Sequence, residues 1–351
     1  MPIKKITISE FITLSELHPV IDVRTPGEFT HAHFPLAYNI PLFSDEERKE
    51  IGTLYKQQGK QKAIKEGVSF FGPKMKSNIE KVEQIFKQKK SNSITIILHC
   101  WRGGMRSAGM AWLFDLYGFD VYILVGGYKA YRKWVLHKFE EKYQIKTLGG
   151  YTGSAKTELL HSLKENGESI IDLEALAHHK GSAFGGIGQP EQPTQEMFEN
   201  RLANLLCKMN EGVSKKYFWL EDESQRIGRI NIPHAFWKTI RESSLYFIDI
   251  PFNERLNFII KHYGILNREE IINAILRIQK RLGPNETKTA INFILEDNFH
   301  EAFKILLVYY DKTYISAMNG RENIKQLLKT INMENTDTVE NRKILQQFIN
   351  Q

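Results

Sequence analysis

Cysteine is nearly missing: the 351 residues hold two, Cys100 and Cys207, and no CxxC pair. That excludes a disulfide framework and argues against a thiolate zinc site. No apolar run reaches the roughly 20 residues needed to cross a bilayer. The opening Met1-Pro2-Ile3-Lys4-Lys5 carries no apolar secretory segment with a small-residue cleavage site. The expectation is a cytoplasmic protein with no membrane partner. Internal repeats are absent, and the only biased stretch is lysine-rich. With 42% hydrophobic and 25% charged residues, neither a disordered nor a collagen-like chain fits. At about 150 residues per domain, the length points to two domains.

What the chain does have is localised positive charge. The formal net charge is +7, and the segment Arg48 to Lys90 alone holds 12 Lys+Arg against 4 Asp+Glu, so the remainder is almost neutral. Such a segment is the footprint of a protein that meets phosphates, and equally of a solvated helical surface. Tyr55, Phe70 and Phe71 lie among the lysines, placed either to stack on bases or to form the buried face of the segment.

The first 140 residues alternate β-rich runs with helical patterns, which predicts an α/β domain over residues 1–140. Val20-Ile21-Asp22-Val23 reads as a short strand ending in the turn Arg24-Thr25-Pro26-Gly27. Ser93 to Leu98 is β-branched and compact, as in the middle of a parallel sheet, and runs straight into His99-Cys100. Ser107 to Tyr117 has apolar residues at helical spacing, Gly118 as its stop and Val121 to Val125 as the next strand. A weak strand from Gln144 to Leu148 opens a second unit, residues 141–351, which turns mostly helical from Phe252 onward with no legible catalytic motif.

Cys100 follows a buried-type strand, and Cys100-Trp101-Arg102-Gly103-Gly104-Met105-Arg106-Ser107 leads into a helix. Backbone N–H groups at a helix N-terminus form a positive concavity that binds oxyanions and lowers a thiol pKa from about 8.5. Cys100 is therefore the expected nucleophile. Gly103 and Gly104 are expected to let the backbone curl around an anion, and Arg106 to offer it a planar fork.

Gly150-Tyr151-Thr152-Gly153-Ser154-Ala155-Lys156-Thr157 matches GxxxxGK[ST] except that Ala155 stands where the last glycine belongs. Such a turn wraps phosphates in N–H groups, with Lys156 as a point charge and Thr157 placed for Mg²⁺. Tyr217 to Leu220 reads as a buried strand delivering Glu221, Asp222 and Glu223 to its C-terminal end, either toward a hydrated metal or as caps of the next helix. His178-His179-Lys180-Gly181-Ser182 has the composition of an anion-binding loop or of a solvated turn.

The form His-Cys-x5-Arg-Ser is shared with cysteine phosphatases. Its surroundings, Ile21-Asp22-Val23-Arg24, Glu28-Phe29, His33, Asn39-Ile40-Pro41 and Val125 to Tyr131, resemble rhodanese (sulfurtransferase) domains. Ordinary rhodanese loops reach their arginine one residue sooner, so this loop implies a wider cradle, sized for a phosphate-like ligand.

A rhodanese-like domain with a Cys-Trp-Arg-Gly-Gly loop followed by a phosphate loop resembles the tRNA 2-selenouridine synthases. Further matches are Gly52 to Gln57, His178 to Phe184, Gln189-Pro190, Gln192-Pro193, Phe198-Glu199-Asn200, and Glu223-Ser224 with Arg226-Ile227-Gly228, over roughly residues 20 to 235. The resemblance implies a rhodanese-like parallel-sheet domain, then a P-loop NTPase-like α/β domain with a helical C-terminal region.

It also implies an exchange at the wobble uridine of tRNA. The 2-thio group is geranylated from geranyl diphosphate, and the geranylated sulfur is then replaced by selenium from selenophosphate. Cys100 and Arg106 would be catalytic, with Trp101, Arg102, Gly103, Gly104, Met105 and Ser107 binding selenophosphate. Cys100 would either take selenium as a perselenide or assist its delivery. Gly150, Thr152, Gly153, Ser154, Ala155, Lys156 and Thr157 would bind diphosphate. His178, His179, Lys180, Ser182, Glu221, Asp222, Glu223 and Arg226 are the further substrate-binding candidates. No tightly bound cofactor or metal is expected, although Thr157 leaves room for Mg²⁺. The competing readings are a cysteine-dependent phosphatase or sulfurtransferase fused to a nucleotide-binding domain, and a non-catalytic tRNA-binding protein.

Overall fold

The computed structural model describes residues 3–89, 93–210, 217–264 and 267–350. Met1-Pro2 of the opening segment and Lys90 at the end of the basic run lie outside the described residues. Contacts divide the chain into two units, residues 1–138 with 199–204, and 139–198 with 205–351.

Five parallel strands make the sheet of the first unit: β1 (Lys4–Ile6), β2 (Val20–Asp22), β3 (Tyr38–Asn39), β4 (Thr95–His99) and β5 (Asp120–Leu124), in the order β1-β5-β4-β2-β3. In register, Ile21 of β2 faces Leu98 of β4, and Ile97 faces Tyr122 of β5. β4 is central and buried on both faces, as its β-branched sequence requires: Ile96, Ile97 and Leu98 are fully buried. Its neighbour β2 sends its chain toward β3, whereas β4 sends its own toward β5. The carboxyl ends of two strands whose connections diverge leave a crevice, the place where open α/β sheets bind ligands. Cys100 stands in that crevice.

The lysine-rich segment forms the helices Asp45–Gln58, Lys60–Phe71 and Met75–Lys89. Ser44 starts the first with a reciprocal capping box to Glu47. Phe70 and Phe71 pack on the core, whereas Tyr55 stays exposed, so the segment's buried face takes the two phenylalanines. Arg48, Lys49, Lys56, Lys60, Lys62, Lys65, Lys76, Lys81, Lys87 and Lys89 are exposed.

The second unit has the parallel sheet β11-β10-β6-β7, built from β6 (Ile145–Gly150), β7 (Phe218–Glu221), β10 (Ser244–Asp249) and β11 (Leu328–Asn332). A small antiparallel pair, β8 (Arg226–Ile227) and β9 (Ile230–Asn231), lies apart from it. Gly149 and Gly150, expected to follow the strand, belong to it, because Ile248 of β10 pairs with Gly150 in register. The four helices Phe252–Tyr263, Arg268–Leu282, Pro284–Leu295 and Phe299–Asn319 form their own apolar cluster, while β11 returns the chain to the sheet. Among the described residues, no helix is long and apolar enough to cross a membrane.

Candidate functional site

Beyond β4 the chain makes the turn Cys100 to Gly104 and enters the helix Met105–Tyr117, which closes at Gly118 in the left-handed conformation. Cys100 O accepts a hydrogen bond from Tyr128 N–H at 2.8 Å, and Trp101 O accepts one from Lys129 N–H at 3.0 Å. The cysteine turn is thereby pinned to a second turn, Gly126-Gly127. A Cβ on Gly127, at φ +58°, would lie 2.3 Å from Cys100 O; one on Gly103, at φ +65°, would lie 2.7 Å from Leu124 O. These two glycines are required by close approach of backbone to backbone. Gly104 is not: its φ is −104° and the space where a Cβ would stand is open, so the expectation that both loop glycines shape the turn holds only for Gly103.

Cys100 Sγ accepts the Gly104 N–H at 3.3 Å and lies 3.3 Å from the Ser107 hydroxyl. Burial pushes the thiol pKa up, but hydrogen bonds from the Ser107 hydroxyl and from the N–H groups of Ser107, Arg102 and Gly104 outweigh it, and the net shift is down. Trp101, Arg102 and Met105 are exposed at the rim of the turn. His99 is buried beside Asp22, with Nδ1 3.8 Å from Oδ1. Burial lowers its pKa, which keeps the ring neutral. Arg24 ties to Asp22 at 2.6 Å and stacks 3.7 Å over the Tyr128 ring, so the end of β2 is locked against the turn that holds Cys100.

Arg106 departs from expectation. Its two terminal nitrogens meet the two carboxylate oxygens of Glu28 at 2.5 and 3.2 Å, so the fork is occupied by an internal carboxylate. Glu28 is held there by a second role, because it closes the capping box of the helix Pro26–His31 with Thr25. Burial raises its pKa, but Arg106 lowers it further, and Glu28 stays ionised.

In the second unit the turn after β6 leads into the helix Lys156–Glu165. Ala155 caps that helix at φ +51° and ψ +35°, the left-handed conformation that the missing glycine would have taken without strain. The turn is braced from far along the chain. Arg255 donates to Thr152 O at 3.1 Å and clasps Asp311 at 2.9 and 2.8 Å. Tyr314 Oη accepts the Gly150 N–H at 3.3 Å and donates to Asp222 at 2.9 Å, and Arg321 holds the other oxygen of Asp222 at 2.8 Å.

Beside Lys156 stand three carboxylates. Lys156 Nζ lies 3.3 Å from Glu221, and the Thr157 hydroxyl donates to Glu221 at 3.0 Å and lies 3.3 Å from Glu174. One oxygen each of Glu174, Glu221 and Glu223 falls within 4.8 Å of the others. Burial, and then repulsion by Glu221, push Glu174 up to about 8, and burial followed by its carboxylate neighbours raises Glu223 well above its ordinary value. Such crowding, with Lys156 as the cation in contact, is the electrostatic setting of a divalent-cation site. The turn and the carboxylates form one end of a cavity of about 690 Å³.

The residues 143–342 match the family model described as the tRNA 2-selenouridine synthase AAA domain, and residues 7–133 match the rhodanese-like domain. The chain is 37% identical over 289 residues to the tRNA 2-selenouridine synthase of Nitrosomonas europaea, a match covering 81% of this chain and 73% of that one. The chain belongs to the tRNA 2-selenouridine synthase family. The tRNA 2-selenouridine synthase of Shewanella piezotolerans is 36% identical over 306 residues, covering 81% of each chain. A solved structure, the N-terminal domain of a putative ATP/GTP binding protein from Clostridium difficile 630, is 40% identical, covers 38% of this chain and 99% of its own, and superposes with a TM-score of 0.34.

For this member of the tRNA 2-selenouridine synthase family, the structure sorts the residues singled out by the sequence. Lys180, Ser182, Glu221, Asp222 and Glu223 line the cavity together with Thr152 to Thr157. His178, His179 and Arg226 lie outside that lining. His178 ends the short helix Leu173–Ala177, and its Nδ1 lies 2.8 Å from Glu191 O; His179 packs beside Gly185, and Arg226 donates to Gly228 O within the β8–β9 pair. Glu221 and Asp222 are not caps, since the next helix, His234–Glu242, is led by Pro233 with no side-chain cap.

Glu28, Glu174, Arg255, Asp311, Tyr314 and Arg321 were not singled out as site residues. The C-terminal helices carry no motif because their part is to brace the turn with single side chains drawn from separate elements. For Glu28 a signal existed, the Thr25-x-x-Glu28 capping pattern, but it reads as helix start rather than as a partner for Arg106.

Proposed function

We propose that the protein is a tRNA-modifying transferase that exchanges the 2-thio group of the wobble uridine for selenium in two steps. In the first, the thiocarbonyl sulfur attacks C1 of geranyl diphosphate. The C1–O bond breaks, diphosphate leaves with the electron pair, and N3 of the base loses its proton. Lys156, Thr157 and the N–H groups of Gly150 to Ala155 stabilise the departing diphosphate. Glu174, Glu221 and Glu223, with Thr157, fit Mg²⁺, which when bound would neutralise charge on that leaving group.

In the second step selenophosphate supplies selenium. Electron counting selects between the two roles open to Cys100. A perselenide would leave phosphorus reduced by two electrons, whereas attack of the Cys100 thiolate on phosphorus breaks the P–Se bond and releases selenide with its electron pair. Selenide then adds at C2 and expels geranyl thiolate, and water cleaves the S–P bond to return Cys100 and phosphate. Arg106 and the loop N–H groups hold the phosphoryl oxygens, which requires the anion to displace Glu28 from Arg106. The exposed cations of residues 48–89 meet the tRNA phosphates, so binding weakens steeply with salt.

The observation that carries this reading is the ionisable Cys100 under the N–H groups of Gly104, Arg102 and Ser107. The test is nucleoside mass spectrometry of 2-thiouridine tRNA incubated with protein, geranyl diphosphate and selenophosphate, each omitted in turn. Geranyl-thio product is expected without selenophosphate, and selenouridine only with both donors. Selenouridine formed without geranyl diphosphate would refute the order of steps.

A further inference from the structure

We propose that the cavity of the second unit is built for a diphosphate that carries an apolar tail, and that the tail lies against the apolar wall formed by Ile259, Phe184 and the helix Phe299–Asn319. This rests on geranyl diphosphate being the donor and adds where the prenyl chain sits.

The cavity, about 690 Å³, has a polar end and an apolar wall. At the polar end Tyr314 bonds both the phosphate turn at Gly150 and Asp222. From there the same helix presents Tyr310, Leu307, Leu306 and Phe303 toward the cavity, a spacing of three and four residues that keeps them on one face. The eleven steps from Tyr314 back to Phe303 span about 16 Å of helix. Phe184, from the glycine-rich loop between residues 178 and 188, sets its ring 6.4 Å from both Phe303 and Tyr310.

The apolar wall begins at the phosphate turn itself. The Cδ1 of Ile259 would lie 2.9 Å from a Cβ on Gly153, so the glycine that shapes the phosphate turn rests directly on the first apolar side chain.

Two features make this a site rather than loose packing. Phe184, Phe303, Leu306 and Leu307 line the cavity and belong to one packed apolar cluster, which holds the wall in place. A cleft of several hundred Å³ with an apolar wall and polar groups converging at one end is the usual form of a ligand pocket. Second, a nucleobase laid on this wall would leave its ring donors and acceptors without partners, whereas a hydrocarbon leaves none.

The experiment is calorimetric titration of the full chain, in the presence of Mg²⁺, with inorganic pyrophosphate, dimethylallyl diphosphate, geranyl diphosphate and ATP. Affinity is expected to rise by at least about tenfold from pyrophosphate to dimethylallyl diphosphate and again to geranyl diphosphate, from the carbon surface buried. ATP is expected to bind no better than pyrophosphate. The Phe184→Ser variant should lose about tenfold for geranyl diphosphate with pyrophosphate unchanged, and the ligand series on the unaltered chain needs no variant to fold. Equal binding of pyrophosphate and geranyl diphosphate would overturn the tail site while leaving the phosphate turn as read. ATP binding more tightly than geranyl diphosphate would overturn it in favour of a nucleotide. Failure of every diphosphate to bind would remove the donor reading itself, and the tail site with it.

Discussion

The two units solve one structural problem in the same way and put it to opposite uses. In each, a parallel strand ends in a glycine-containing turn that opens a helix, so that backbone N–H groups converge on one point. In the first unit that point is occupied by a side chain, the Cys100 sulfur, and the nearby cation Arg106 is already matched by Glu28. In the second no thiol stands in the turn; Lys156 lies beside three carboxylates, and an apolar wall follows. The backbone supplies positive potential in both places. In the function proposed above, what stands within it decides whether an anion is attacked or merely released.

The sharpest way to break this comparison is to remove one cradle's chemistry at a time. Cys100→Ser is expected to abolish selenium incorporation into tRNA while leaving geranylation intact, read by nucleoside mass spectrometry; loss of both would show that the two cradles do not divide the work. Lys156→Ala is expected to slow geranylation by roughly 10²–10³-fold, while tRNA already geranylated is still converted to selenouridine. Unchanged geranylation would return the phosphate turn to a structural role.

Smaller effects sharpen the electrostatic contrast. Glu174 has a folded-state pKa of about 8 against an ordinary 4.5, so its protonated form stabilises the fold fully below pH 4.5, and that contribution is lost as pH rises through 8. The melting temperature of the ligand-free chain should therefore fall across that window, and Glu174→Gln should flatten the fall. For the cysteine cradle the sign is reversed: a lowered thiol pKa favours the thiolate, and Ser107→Ala should move the alkylation profile of Cys100 to higher pH. Glu28→Gln frees Arg106, so inorganic phosphate should protect Cys100 from alkylation at roughly a threefold lower concentration, the scale of a partly exposed ion pair.

The smallest expected change is Ala155→Gly. Relief of the left-handed alanine exceeds the entropy glycine loses by roughly 0.5 kcal/mol. A rise of about 1–2 °C in melting temperature follows for a unit of this size, and a fall would show that the buried Ala155 methyl contributes more by packing.

Local patterns were legible because they act over a few residues. The buried strand before Cys100, the helix stop at Gly118 and the glycine turn before Lys156 each follow from side-chain period or backbone freedom, and the structure has all of them. Phe70 and Phe71 could not be divided from Tyr55 in that way. Aromatic residues among lysines read alike whichever way they face, and only packing against the core partly buries two of the three.

The sequence by itself determined the two turns and the thiol and cation they carry, since strand, turn and helix N-terminus are encoded contiguously. Only the tertiary structure decided what surrounds them: Glu28 on Arg106, Glu174 beside Thr157, and Tyr314 and Arg255 on the phosphate turn. The reason is physical. Coulombic and hydrogen-bonding partners are chosen by distance in space, and these come from positions 17 to 164 residues away, a separation that leaves no periodic or motif signal in the chain.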